Sequence, residues 1–226
     1  MKIKEILNFI LIFLLYFIYD QLIITILNKI GIDISSLSIN GKIIILILIN
    51  LSLMIILYLI YRKDINRDFK DYKNNFKRYF SSNFKYYIIG LLGMIISNII
   101  ISYFISGNST NENIIKSYIN NYPIYMVFST CIFAPFTEEI IFRKSFKNCF
   151  SNNIMYIILS GILFGFLHTI SGNSLKELLF IIPYGSLGSA FAYMYCKTNN
   201  IFVPITFHLI HNSIIVFNYI LLLIGG

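Results

Sequence analysis

"FAPFTEEIIFRKSF", residues 133–146, sets two adjacent acids, Glu138 and Glu139, between apolar runs, with Arg143 one helical turn further on. The rest of the chain makes that placement costly. Of 226 residues, 57% are hydrophobic and only 12% charged, and the mean hydropathy is +0.74. A soluble domain has about 45–50% apolar and about 25% charged residues. The excess falls in repeated long runs, so the chain reads as an all-α, polytopic integral membrane protein, and the two acids as residues of a membrane helix.

A spanning helix needs ~20 mostly apolar residues. That test predicts about seven, near 6–28, 42–61, 86–106, 122–148, 152–170, 175–196 and 201–224, within a single membrane domain, 1–226. The stretch "GNSTNENIIKSYINN", 107–121, reads as a polar loop. The first run follows Lys2 and Lys4, lacks a small-residue cleavage site and carries Asp20 and Gln21 near its end. It is expected to be an uncleaved first helix rather than a signal peptide.

With the N-terminus inside, the inner side holds Lys2, Lys4, eight basic residues between 62 and 85, Arg143, Lys144, Lys147 and Lys197. The outer side keeps Lys29, Lys42, Lys116 and Lys176. Fourteen against four predicts a cytosolic N-terminus in a multi-pass cell-membrane protein, and an odd helix count then puts Gly226 outside. The same distribution assigns the net charge of +8 to membrane topology and excludes a nucleic-acid partner. In the inner segment 62–85, Ile65, Phe69, Tyr72, Phe76, Phe80 and Phe84 recur at three- and four-residue steps among basic residues, the pattern of an amphipathic helix in the cytosolic interface. Cys131, Cys149 and Cys196 have neither C-x-x-C nor metal-ligand spacing and read as bland thiols.

An ionisable residue inside a membrane helix marks a functional site by default. Besides Glu138 and Glu139 there are His168 in "FGFLHTI" and His208, His211 and Asn212 in "VPITFHLIHNSI", which include every histidine of the chain. At 1.5 Å per residue, Glu138, His168 and His208 stand roughly 15, 21 and 10–12 Å from the inner ends of their helices. They are therefore expected to converge in one polar cavity, opening toward the cytosol. His208 and Asn212, four apart, share a helix face, as do Phe164 and His168; His211 is expected to miss the cavity. Glu139 and Arg143, four apart with the acid first, form an intrahelical ion pair, and Glu138, about 100° away, is left without one.

Glu138-Glu139-x-x-x-Arg143, Phe164-x-x-x-His168 and His208-x-x-x-Asn212 resemble the three motifs of the CPBP (CAAX protease and bacteriocin-processing, Abi) intramembrane proteases. "APFTEEIIFR" looks like that family's Pro-x-x-Glu-Glu stretch, and "YGSLGSAFAYMYCKTNNIFVPITFH" like its segment before the third motif. The resemblance covers about 120–215, with core helices at 122–215. Lys144 departs from it, standing where the family commonly has Gly.

The resemblance implies an intramembrane endopeptidase acting on a membrane-associated peptide or protein within the lipid bilayer. Glu138 would be the general base, His168 would hold the same water, and His208 with Asn212 would stabilise the oxyanion. Glu139, Arg143 and Phe164 would support them. The family is often labelled metalloprotease, and a divalent metal such as Zn would fall to Glu138, His168 and His208. No H-E-x-x-H helix is present and Asn is a better oxyanion donor than zinc ligand, so chemistry without a cofactor is the favoured reading. A non-catalytic immunity or scaffold protein that binds a bacteriocin-like peptide is the alternative function. A proton-coupled transporter also uses intramembrane Glu and His, but no repeat symmetry supports one.

Overall fold

The computed structural model describes residues 3–172 and 174–225, and those residues are helical with no strand among them. Lys2 and Gly226, used in the topology reading, lie outside the described residues. Helix α1 spans Ile3–Lys29, α2 Ile39–Ser102 and α3 Thr110–Asn121. Helix α4 runs Pro123–Ser145 and contains two π-helical stretches, Ser129–Phe133 and Ile140–Ser145. Helix α5 is Asn153–Thr169, α6 is Ile181–Thr198 after a 3₁₀ turn at Leu175–Phe180, and α7 is Phe202–Gly225.

Five of these helices are long and apolar enough to cross a membrane; α5, at 17 residues, is shorter. The apolar runs 42–61 and 86–106, read from the sequence as separate spans, lie largely in the first and last arms of α2, a stretch of 64 residues that joins helices across kinks. Straight, it would be ~96 Å long, against a hydrocarbon core of ~30 Å. It bends at Tyr61 and Asn75, where φ/ψ leave the helical region. At Asn75 the cause is visible: its side-chain amide donates to the carbonyl oxygen of Asp71 at 3.1 Å, intruding on the i−4 hydrogen-bond ladder. The basic segment 62–85 is helical on both sides of the Asn75 bend, so it forms the middle arm of α2, 62–74, and the start of the last arm.

The first arm of α2 packs Ile49, Leu53 and Leu57, and the middle arm Ile65, into a core shared with Phe9 and Ile12 of α1, Ile140 and Phe142 of α4, and Tyr156 and Phe164 of α5. The last arm packs Tyr87 against Leu187, Phe191 and Met194 of α6 and Val203 and Phe207 of α7. The middle arm is latched to the bundle by polar contacts. Asp64 pairs with Lys144 at 3.1 Å, and Asp68 accepts from the backbone N–H of Ile201 at 3.2 Å, capping α7 from another helix. Asn200 donates to the Asp68 carbonyl and to Asp71. Lys144, the residue that departs from the family pattern, is thus buried and paired, and it ties α4 to α2.

Residues 107–121 correct the sequence reading of a polar loop. From Thr110 they form α3, whose cap Ser109 accepts from the N–H of Glu112 at 3.2 Å. The signal was the S-T-N-E run, a capping-box spacing, followed by Ile115 and Ile119 four apart; Ile119 packs with Met126, Cys131 and Val216. The three cysteines are free thiols, Cys131 and Cys149 buried.

Small residues let α5 and α6 touch closely, as in other membrane helix pairs. A Cβ on Gly161 would strike Ser189 Oγ, one on Gly165 would strike the Ile181 carbonyl, and one on Gly188 would lie 2.9 Å from the Phe164 ring. Gly165→Val is expected to lower unfolding free energy in mixed micelles by about 1–3 kcal/mol, or to prevent folding. Gly225→Ala, where a Cβ meets nothing within 4 Å, should stay within about 0.5 kcal/mol of the parent.

Candidate active site

The site begins with a buried arginine. Arg143 has no exposed surface, so it needs partners on every side. Its Nε lies 3.0 Å from Glu139 Oε2, an ion-pair contact too misaligned to be a hydrogen bond. Its Nη1 donates to Ser160 Oγ at 2.8 Å, and its guanidinium sits 5.1 Å from the centroid of Phe164. Ser160 in turn donates to the Phe142 carbonyl, so the guanidinium pins α4 to α5.

Glu139 is equally buried and serves two helices at once. Its Oε1 lies 2.9 Å from His208 Nδ1 on α7, while the same carboxylate pairs with Arg143. A carboxylate flanked by Arg143 can only accept, so Nδ1 carries the proton and Nε2 is turned to the cavity. The imidazole is clamped by Phe191, stacked at 5.1 Å, and by the Phe164 ring at 5.7 Å, edge-on. On its other side Nε2 stands 3.9 Å from Glu138 Oε2. The neighbouring acids, expected to face different surroundings, therefore meet the two nitrogens of one imidazole.

Glu138 keeps free accepting capacity. Tyr16 of α1 donates to Oε1 at a long 3.5 Å, and the buried Oε2 has no hydrogen-bond partner among the described residues. His168 has a fixed tautomer. Its Nδ1 lies 2.9 Å from the Phe164 carbonyl, which can only accept, so a neutral ring presents the Nε2 lone pair outward. Phe164 and Tyr184 hold the ring from both sides, with centroids at 4.5 and 4.6 Å.

Asn212 is oriented by a break in α4. In the first π-helical stretch Ala134 N–H bonds Ser129, five residues back, so the next such bond would run from residue 135 to Thr130. Residue 135 is proline and has no N–H to donate. The Thr130 carbonyl is left open and accepts one hydrogen of the Asn212 amide at 2.8 Å. The second hydrogen of Asn212 remains for another acceptor. The proline of the "APFTEE" stretch thus has a role that a motif match alone does not disclose.

These groups line one cavity of about 460 Å³ holding Glu138, Phe164, His168, His208 and Asn212. His211 lines it too, with Nδ1 3.4 Å from the Tyr87 hydroxyl, against the expectation that it would miss. The lining of the cavity reaches the end of the bundle that α3 covers. It extends along Ser109, Asn111 and Glu112 of the α3 end, Tyr184 and Tyr219, away from the basic 62–85 arm. The polar caps of α3 and the Tyr184 hydroxyl, 3.0 Å from Ser109 Oγ, build that wall, and the reading of 107–121 as a loop hid it. Among the described residues no three His, Cys, Asp or Glu side chains converge to hold a metal ion.

Arg143→Met strands Glu139 in the core and is expected to cost about 3–5 kcal/mol of unfolding free energy in mixed micelles. The double variant Glu139→Leu/Arg143→Met removes both charges and should be less destabilised than Arg143→Met alone; a double variant as damaged as the sum of its parts would contradict the buried pair.

Residues 120–214 match the family described as "Type II CAAX prenyl endopeptidase Rce1-like". The "Putative membrane peptidase YdiL" of Bacillus subtilis (strain 168) is 32% identical over 122 residues. The matched region is 51% of this chain and 47% of that protein, so the chain spans about half the length of this relative. No solved structure matches. The match takes in every motif residue that meets in the cavity, from Glu138 to Asn212, while α1 and α2 lie outside it. The likeness to CAAX-protease-like membrane proteins thus falls on the segment that holds the double glutamate, the arginine, the histidines and the asparagine.

Proposed function

We propose that the chain is an intramembrane endopeptidase that hydrolyses a membrane-associated peptide or protein with a water activated by Glu138. The observation that carries the reading is that Glu138 and His168 line the same cavity as Asn212, Glu138 accepting only a long contact from Tyr16 and His168 held with Nδ1 on the Phe164 carbonyl. A water between two acceptors gives each one hydrogen and keeps a lone pair on its oxygen for attack on a carbonyl carbon. Glu138 takes the proton as the C–O bond forms and hands it to the amine nitrogen as the C–N bond breaks.

The oxyanion formed in between needs donors that are already in place. Asn212 offers its second amide hydrogen, held in direction by Thr130. His208 donates from Nε2 in its imidazolium form, which Glu139 supports across the ring from Nδ1. Metal-free hydrolysis suits this donor set, since Asn212 and His208 supply the stabilisation a Lewis acid would otherwise provide. The basic arm 62–85, Lys144 and Lys197 gather at one end of the bundle, which supports a cytosolic N-terminus and an interfacial middle arm of α2.

Purified protein reconstituted with membrane-anchored peptides should cleave them, and Glu138→Gln should abolish cleavage while leaving thermal unfolding near that of the parent. Asn212→Ala should lower kcat about 10²–10³-fold with little change in KM, because the contact strengthens in the transition state. Full cleavage by Glu138→Gln, or a KM effect alone for Asn212→Ala, would overturn the assignment. A chain that binds peptides tightly and cleaves none would instead be the immunity or scaffold protein.

A further inference from the structure

A second cavity, about 320 Å³, meets the first at the catalytic wall. The two share Tyr16, Asn111, Phe133, Glu138 and His168. The smaller one lacks His208 and Asn212, and adds Phe17 and Asp20 of α1 with Leu167 of α5. It therefore lies along the α1 side of Glu138, where α1 residues outside the matched family segment meet Phe133, Glu138, Leu167 and His168 inside it. Asp20 is one turn beyond Tyr16 on the same face of α1, and it is exposed amid an otherwise apolar helix. It has no hydrogen bond or ion pair with any described residue.

The two cavities divide the chemistry. Both oxyanion donors belong to the larger cavity alone, so the carbonyl and the acyl half of a substrate lie there. The proton that Glu138 must deliver goes to the departing nitrogen, on the side of Glu138 away from those donors, where the smaller cavity lies. An unpaired carboxylate inside an apolar segment is costly unless a cation meets it. Among the described residues no Lys or Arg lines the smaller cavity, and Lys116 of α3 is paired with Glu112 at 3.0 Å.

Resting on the endopeptidase reading, we propose that Asp20 and Tyr16 line a subsite for the amine half of the substrate, and that it selects a Lys or Arg side chain within the first few residues after the cleaved bond. Substrates would then be apolar peptide segments with a cation shortly after the scissile bond.

The test uses the full chain in nanodiscs and two membrane-anchored peptide libraries that differ only in carrying Lys or norleucine at randomised positions. Cleavage sites are read by mass spectrometry. The parent should favour Lys over norleucine on the amine side by about five- to tenfold in kcat/KM, the scale of one partly screened ion pair. Asp20→Asn should bring the ratio near one, and Asp20→Glu should restore it. A parent without preference, or a preference that survives Asp20→Asn, overturns the subsite while leaving the endopeptidase reading intact. If the parent cleaves neither library, that reading fails, and the subsite is judged by binding of the fluorescent Lys peptide to Glu138→Gln. Equal affinity for Glu138→Gln and Glu138→Gln/Asp20→Asn would then overturn it.

Discussion

Glu139 is a carboxylate with no exposed surface, held by Arg143 from its own helix and by His208 from α7, and the rest of the site depends on it. A charge buried at that depth survives only if every side is met. Arg143 meets one side and is itself completed by Ser160 and the Phe164 ring, which draws α5 into the arrangement. His208 meets the other and is completed by Phe191 of α6. One ionised group thus fixes four helices relative to each other. The same constraint sets the chemistry, since it determines which nitrogen of His208 faces Glu138.

The π-helical turns of α4 do comparable work with backbone atoms. The first, joined to Pro135, opens a carbonyl that a regular helix would have used, and Asn212 reaches across to it. The second covers Ile140–Ser145 and carries Arg143 toward Ser160 and Lys144 toward Asp64 of the α2 arm. A proline inside a membrane helix costs a hydrogen bond; here the vacancy orients a side chain of the candidate site.

Much of this was legible from residues. The apolar runs and the rare polar groups within them gave an all-α membrane protein and the set of side chains that meet, because charge in lipid is costly enough to be informative. The Glu139–Arg143 spacing gave their pairing. What the residues did not disclose is interhelical. Nothing local in "TEEII" says that Glu139 also holds His208, or that both acids meet one imidazole. The helix α3 was hidden by its polarity, though its capping run carried a local signal, and with it went one wall of the cavity. The bends of α2 at Tyr61 and Asn75 were hidden because hydropathy does not say where one helical arm turns into the next.

The tautomer of His208 tests the account most directly. The chain has three histidines, so ¹⁵N-histidine labelling gives three resolvable rings, assigned with His168→Gln and His211→Gln. The account predicts that His208 carries a proton on Nδ1, whether or not Nε2 is also protonated, with a deshielded signal from the bond to Glu139, and that Glu139→Gln shifts this signal and leaves the His168 ring unchanged. A His208 ring protonated on Nε2 alone, indifferent to Glu139→Gln, would contradict it.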